Sequence, residues 1–194
     1  MNQALKHGGI VMLSLEQMTP WVMMNFSLTM ALLAVPMFLL HMLVNAFTKK
    51  RNNYEIIYIW VTFLAVGVVG IYTFVMHVFF PVTSAAIIGW HTSPFQFEVG
   101  MADLGFGLVA LLAARASYGF RLASVIGVTC WLWGDAVGHV YQMLLKGNYS
   151  IGNAGSWFWL DLLIPAILII CIANIRLKVI LQPPIAAQYQ DPTI

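Results

Sequence analysis

Residues 54–80 read YEIIYIWVTFLAVGVVGIYTFVMHVFF, and beyond Glu55 they contain no Asp, Glu, Lys or Arg. A helix of this length reaches about 40 Å at about 1.5 Å per residue, and about 20 apolar residues already cross the hydrocarbon core of a bilayer. The stretch therefore reads as a membrane span. Four other runs meet the same test, at residues 21–47, 94–114, 120–145 and 156–178. The predicted fold class is an all-α integral membrane bundle of five transmembrane helices. It occupies residues 21–180, after an N-terminal segment 1–20 and before a short, Pro-containing tail 181–194 expected to be disordered. Composition agrees: 61% of the 194 residues are hydrophobic, 8% are charged and the mean hydropathy is +0.85. An ordinary soluble domain carries roughly 25% charged residues.

The net charge of +2 is small and dispersed, which excludes a nucleic-acid partner and leaves charge to speak for topology. Lys49, Lys50 and Arg51 lie between the first and second spans, Arg115 and Arg121 between the third and fourth, and Arg176 and Lys178 at the end of the fifth. Lys6 and Lys146 alone fall on the other side. The positive-inside rule then places the N-terminus outside and the C-terminus in the cytoplasm. Trp21, Trp90, Trp157 and Trp159 fit an outer aromatic belt, and Tyr54, Tyr58 and Trp60 an inner one. Thr19 and Pro20 look like the cap and first residue of the first span, while Pro36 and Pro165 are expected to kink the first and fifth. Residues 1–20 lack the pattern of a cleaved signal peptide, so the first span is expected to be retained. Cys130 and Cys171 lie in separate spans without a Cys-x-x-Cys pair, so neither a disulfide nor a redox motif follows. There is no internal repeat.

The ionisable residues within the spans gather at one depth. His77, Glu98, Asp103, Asp135, His139 and Asp161 all fall in the outer half on four helices, and His41 alone lies near the inner end. Asp135 and His139 are four apart and stack on one helix face. Gly134 and Gly138 beside them form a Gly-xxx-Gly pattern that permits close approach of another helix. Glu98 and Asp103 are five apart, which separates them by roughly 140° around a regular helix. Ser93, Pro94 and Gln96 read as a capping box, and Ser156 as a cap before Asp161. The helix dipole gives Glu98 and Asp161 about 0.3–1 kcal/mol of support, while a charge near the bilayer centre costs at least about 2.5–3.5 kcal/mol. Bound cations, protons, the histidines or water must supply the rest.

Several functions fit this layer of acids and imidazoles. His77, Glu98, Asp135 and His139, with Asp161 as a further ligand, could hold a divalent metal such as zinc, iron or manganese. Alternatively, Glu98 and Asp135 could act as an intramembrane acid and base on a lipid, quinone or isoprenoid, with His139 tuning one of them. Trp131, Gln96 and Asp161 are then the candidates for binding a small apolar ligand or cofactor. Cation or proton translocation also suits buried carboxylates, although the sequence offers no inner relay beyond His41. An accessory role beside a membrane-complex partner is a fourth possibility. The bland readings are that the acids near the membrane edge are simply hydrated, that His41 is a satisfied core histidine, that His91 sits in an exposed loop, and that Trp131 and Trp133 are packing residues.

With SPFQFEVGMADLGFG at 93–107 and WGDAVGHV at 133–140, the chain resembles a family of small polytopic bacterial membrane proteins of unknown function. That family has a Ser-Pro-Phe-Gln-x-Glu-x-Gly helix start and a later Gly-x-x-x-His, matched here by Glu98 and His139, and the likeness covers residues 80–145. Asp103 and Asp135 depart from it, standing where the family has smaller or uncharged residues. A looser similarity, through the Gly119–Phe120–Arg121 turn, is to DoxX-type membrane proteins, some of which are associated with quinone-linked sulfur oxidation. The resemblance implies a bacterial inner (plasma) membrane location and supplies no mechanism.

Overall fold

The computed structural model describes residues 15–181, with side chains for residues 20–175. The expected tail, residues 1–14 and Lys6 fall outside that range. Every regular element among the described residues is helical. In chain order these are α1 (Leu15–Met24), α2 (Phe26–Thr48), α3 (Asn53–Phe79), α4 (Pro81–Ile88), α5 (Phe95–Ala113), α6 (Tyr118–Lys146), α7 (Ile151–Ala154) and α8 (Ser156–Leu181). Four helices are long and apolar enough to cross a membrane: α2, α3, α5 and the α7–α8 unit. At 29 residues α6 is the longest, but Arg121, Asp135, His139 and four glycines lower its hydropathy, and it is not among the four.

The first helix begins earlier than Thr19 and Pro20 suggest. Pro20 lies inside α1, and the break comes at Asn25, where the backbone leaves helical geometry. A break frees carbonyls from their helical partners, and here other helices capture them. The Tyr72 hydroxyl of α3 donates to Met23 O at 2.7 Å, and the Trp157 indole of α8 donates to Met24 O at 2.7 Å. Trp157, expected only as an interfacial aromatic, is thus a structural tie. At the opposite end of α2, Asn45 staples the turn by exchanging two hydrogen bonds with the Arg51 backbone. Lys49 takes the left-handed conformation that ends the helix, and Asn52 caps α3 by accepting from Tyr54 N.

Apolar periodicity says nothing of a π-helical segment, yet α3 is π-helical over Val61–Val68. Just beyond it, α3 and α5 meet backbone to backbone. A Cβ on Gly70 would lie 2.7 Å from Gly107 Cα and 2.8 Å from Asp103 O. This crossing, rather than the Gly134–Gly138 pair, is where glycine permits close approach: both of those residues face open space. The reason lies in which face of α6 is used, since Ala136 and His139 turn inward while Gly134 and Val137 are exposed.

Ala34, Tyr58, Ala110, Val125 and Leu168 belong to one apolar core that joins α2, α3, α5, α6 and α8. Tyr58, expected at the inner interface, is 0% exposed within that core. Arg121 also departs from its expected loop position. It lies in the first turn of α6, is buried, and sets its guanidinium 5.3 Å from the centre of the Tyr58 ring. Its Nη1 donates to Glu55 Oε1 at 3.0 Å, and Arg51 pairs with the same oxygen, so the basic end of the bundle is closed by a charge network.

Candidate functional site

In the other half of the bundle the helices leave a cavity of about 160 Å³. Its wall is largely apolar, with Met76, Phe106, Val128 and Leu160 among the lining, and it draws residues from α1, α2, α3, α4, α5, α6, α7 and α8. Asp103, Asp135, His139 and Asp161 all face it, together with His77, Tyr72, Thr73 and Trp131. Among the described residues, no Lys or Arg lines it.

His139 is the best-defined group. On its far side stands Asn153, 0% exposed on the short helix α7. The Asn153 Nδ2 donates to His139 O at 3.3 Å and to Asn148 O at 2.9 Å, which turns its Oδ1 toward His139 Nδ1 at 2.8 Å. An amide with its nitrogen committed to two carbonyls can only accept through its oxygen, so Nδ1 carries a hydrogen. The other ring nitrogen, Nε2, lies 3.5 Å from Asp161 Oδ2. A bare imidazole lone pair facing a carboxylate oxygen would repel it. The arrangement is stable when one proton lies between them, as imidazolium with carboxylate or as imidazole with carboxylic acid. Either way the His139–Asp161 pair is neutral, which answers for Asp161 the question of how an acid is tolerated at that depth.

Asp135 stands one turn before His139 and shares its inward face, as the four-residue spacing requires. Asp103 is 8% exposed and shares the cavity wall with Thr73 and Trp131. The α3–α5 crossing fixes its position, because Asp103 O is part of the tight contact with Gly70. Asp103, Asp135 and Asp161 are close enough to act on one another electrostatically. No cationic side chain answers Asp103 from the cavity wall, so it meets a ligand as a hydrogen-bond acceptor or, when protonated, a donor.

Of the residues singled out from sequence, the cavity gathers His77, Asp135, His139, Asp161 and Trp131, the last packed on Phe106 at 5.4 Å between ring centres. It also gathers Asp103. It does not gather Glu98, which is exposed on α5 and absent from the lining. Only the Asp103 face of α5, with Gly100 and Gly107, packs on protein, while Gly105 on the Glu98 side faces open space. Gln96 is also apart from the cavity. It donates to Pro81 O at 2.8 Å, tying α5 to α4, and the helix starts after Pro94 with no side-chain cap from Ser93. The Ser156 hydroxyl likewise donates to Asn25 Oδ1 rather than to the start of its own helix. The four-residue metal set of His77, Glu98, Asp135 and His139 is therefore not assembled, and among the described residues no three of His, Cys, Asp and Glu come together to hold a metal ion.

His41 accepts a hydrogen bond from Trp60 Nε1 at 3.2 Å, as a satisfied core histidine does, and His91 is exposed. Sequence reasoning missed Asn153, Tyr72 and Thr73. Thr73 was within reach, since it precedes His77 by one helical turn and continues a polar stripe on α3. Asn153 carried no such signal, because its role depends on a loop folding back under α6.

Residues 24–178, most of the chain, match the model of a family described as a family of unknown function (DUF6790). No curated protein and no solved structure matches.

Proposed function

Since the chain belongs to this family of unknown function, whose members lend it no activity, we propose from the cavity alone that it is a five-span membrane protein binding a small, largely apolar ligand with a polar end. Five His and Asp side chains on four helices facing one largely apolar cavity carry this reading. Such a chamber, apolar with a few convergent polar groups, is the usual build of a ligand site. At about 160 Å³ the chamber is well above the roughly 10–15 Å³ that a single water needs, and so has room for a small organic group. A quinone head group or the end of an isoprenoid fits that description. Asp103 and Asp135 would bind the polar end, and the aromatic faces of Trp131 and Tyr72 the flat or apolar body.

The fifth span is α6. Its 29 residues reach about 44 Å, and it packs along α8 and against α5. Lys49, Lys50, Arg51, Arg115 and Arg121 cluster at the end away from the cavity, which supports a cytoplasmic assignment for that end and an outer-leaflet position for the cavity. A bacterial inner membrane is the setting we favour.

The His139–Asp161 pair supports a second reading, acid–base catalysis on the bound ligand. Asn153 holds the imidazole in one orientation, and a proton lodged between Nε2 and Oδ2 is available to a ligand atom reaching either group.

The test is extraction in mild detergent without chelator, followed by mass spectrometry of co-purified small molecules and metal analysis. Quenching of tryptophan fluorescence by a short-chain quinone and by an isoprenoid alcohol gives a second readout. A retained or titrating apolar ligand, weakened at least tenfold in Asp135→Asn, is the expected outcome. Stoichiometric metal lost in His139→Ala would replace this reading with a metal site, and a protein free of small molecules that quenches with neither probe would overturn it.

A further inference from the structure

Beneath the cavity lies a second set of buried polar groups that ligand binding does not use. Tyr58 and Thr62 are 0% and 1% exposed, and among the described residues neither the Tyr58 Oη nor the Thr62 Oγ1 has a hydrogen-bond partner. Each such hydroxyl is costly when left unsatisfied, and more so where lipid surrounds the protein. Two unpartnered hydroxyls on one helix face, four residues apart, are therefore a feature to be explained. They lie close to each other without closing a direct bond.

The column continues in both directions. Toward the basic end, Arg121 packs over the Tyr58 ring and donates to Glu55, whose side chain is 21% exposed and touches the surface residue Arg51. The Arg121 Nε is also without a partner. Toward the cavity, Val66 is four residues beyond Thr62 and lines the cavity floor, as does Val128 on α6. Next to Val128, Thr129 adds another buried hydroxyl without a partner. Between Thr62 and the chamber that holds Asp103 and Asp135, the polar side chains of α3 are thus interrupted for about one helical turn. The interruption falls within the π-helical segment Val61–Val68, a widened form of helix found often at functional sites.

We propose that Thr62 and Tyr58, bridged by water, form a proton path joining the cavity carboxylates to Glu55 at the basic face, so that the protein conducts protons across the membrane. Hydroxyls and water both donate and accept, so each can pass a proton on while receiving another, and no net charge accumulates on the relay. Glu55 is the terminal acceptor, and Arg121 holds it against the column. His41, the one inner group that sequence suggested, takes no part because Trp60 occupies it.

The experiment is proton flux in proteoliposomes of the whole chain. A potassium gradient with valinomycin sets the potential and a trapped dye reads internal pH. Wild-type flux is expected well above that of protein-free vesicles, and at least tenfold lower in Tyr58→Phe and in Thr62→Val, with Thr62→Ser retaining it. Both losing variants remove only a hydroxyl with no protein partner, so their melting temperatures are expected to hold or rise, which separates relay from structure. Wild-type flux equal to that of empty vesicles overturns the proposal outright. Flux unchanged in the Tyr58→Phe/Thr62→Val protein overturns the path. Neither substituted residue lines the cavity, so failure here leaves the ligand-binding reading intact, and failure of ligand binding leaves the flux to be measured.

Discussion

Replacing Gly70 with alanine isolates the contact on which the position of Asp103 depends. The added Cβ would stand 2.7 Å from Gly107 Cα and 2.8 Å from Asp103 O, both backbone atoms that no rotamer change can move. Ordinary contact begins near 3.4 Å, so α3 and α5 must separate by about 0.7 Å or tilt to accommodate one methyl group. Overpacking of this kind costs about 1–3 kcal/mol. Helix propensity acts in the opposite direction by up to about 1 kcal/mol, since alanine is the better helix former. A matched control removes that term: Gly134→Ala and Gly138→Ala make the same chemical change on α6 where a Cβ meets nothing within 4 Å. The expected outcome in detergent is a melting temperature lowered by roughly 2–12 °C in Gly70→Ala, at about 2–4 °C per kcal/mol, and unchanged or raised in the two controls. Because Asp103 O is one of the atoms displaced, Gly70→Ala is also expected to weaken any cavity ligand, although residue 70 contributes no side-chain polarity. Equal melting temperatures across the three variants would refute the claim that the helices meet at Gly70 and Gly107. A loss confined to Gly134→Ala or Gly138→Ala would move the close approach back to the Gly-xxx-Gly pattern on α6.

Asn153→Ala removes the acceptor of His139 Nδ1 and the donor to Asn148 O, while His139 O keeps its partner in the α6 ladder, at about 1–3 kcal/mol for each buried group left unsatisfied. The melting temperature should fall by several degrees, and ¹⁵N spectra of the imidazole should show Nδ1 no longer carrying a fixed hydrogen. In Glu55→Gln the buried Arg121 keeps its charge without its carboxylate. A cost of about 3 kcal/mol is expected, near the low end of the usual 3–5 kcal/mol for a broken buried pair because Glu55 keeps some contact with water. Arg51→Ala, which removes only the exposed partner, should cost less than about 1 kcal/mol. Glu98→Gln alters an exposed side chain outside the cavity and should change stability by no more than about 0.5 kcal/mol, with ligand retention unaffected.

The helical, membrane-spanning character was legible because it rests on long-range sums: uninterrupted apolar length and the scarcity of charge. What escaped were features set by how helices meet. Gly134 and Gly138 have the spacing of a packing motif, and Gly67, Gly70, Gly100 and Gly107 do the packing instead. One strand of sequence does not say which side of a helix faces a neighbour when every side is apolar, since the contrast that reveals a buried face in a water-soluble helix is missing. Polar residues restore some of that contrast. Asp103 and Gly107 share a face and mark the packed side of α5, whereas Glu98 and Gly105 share the exposed one.

The same reasoning explains why the site was half visible. Depth follows from counting residues along a helix, so the layer holding His77, Asp103, Asp135, His139 and Asp161 could be found without coordinates. Azimuth does not, and Glu98 shares the layer while pointing out of it. Partners from loops are less legible still, and Asn153 determines the hydrogen on His139 Nδ1 from a four-residue helix with no ionisable group of its own. An acid in lipid surroundings demands compensation, but the demand names no compensator. Asp161 finds it in His139, fixed from behind by Asn153, whereas no Lys or Arg on the cavity wall answers Asp103 or Asp135. Those two carboxyls are therefore where the chamber can still accept a proton or a ligand, and a substitution that neutralises Asp161 should perturb His139 far more than one that neutralises Asp103.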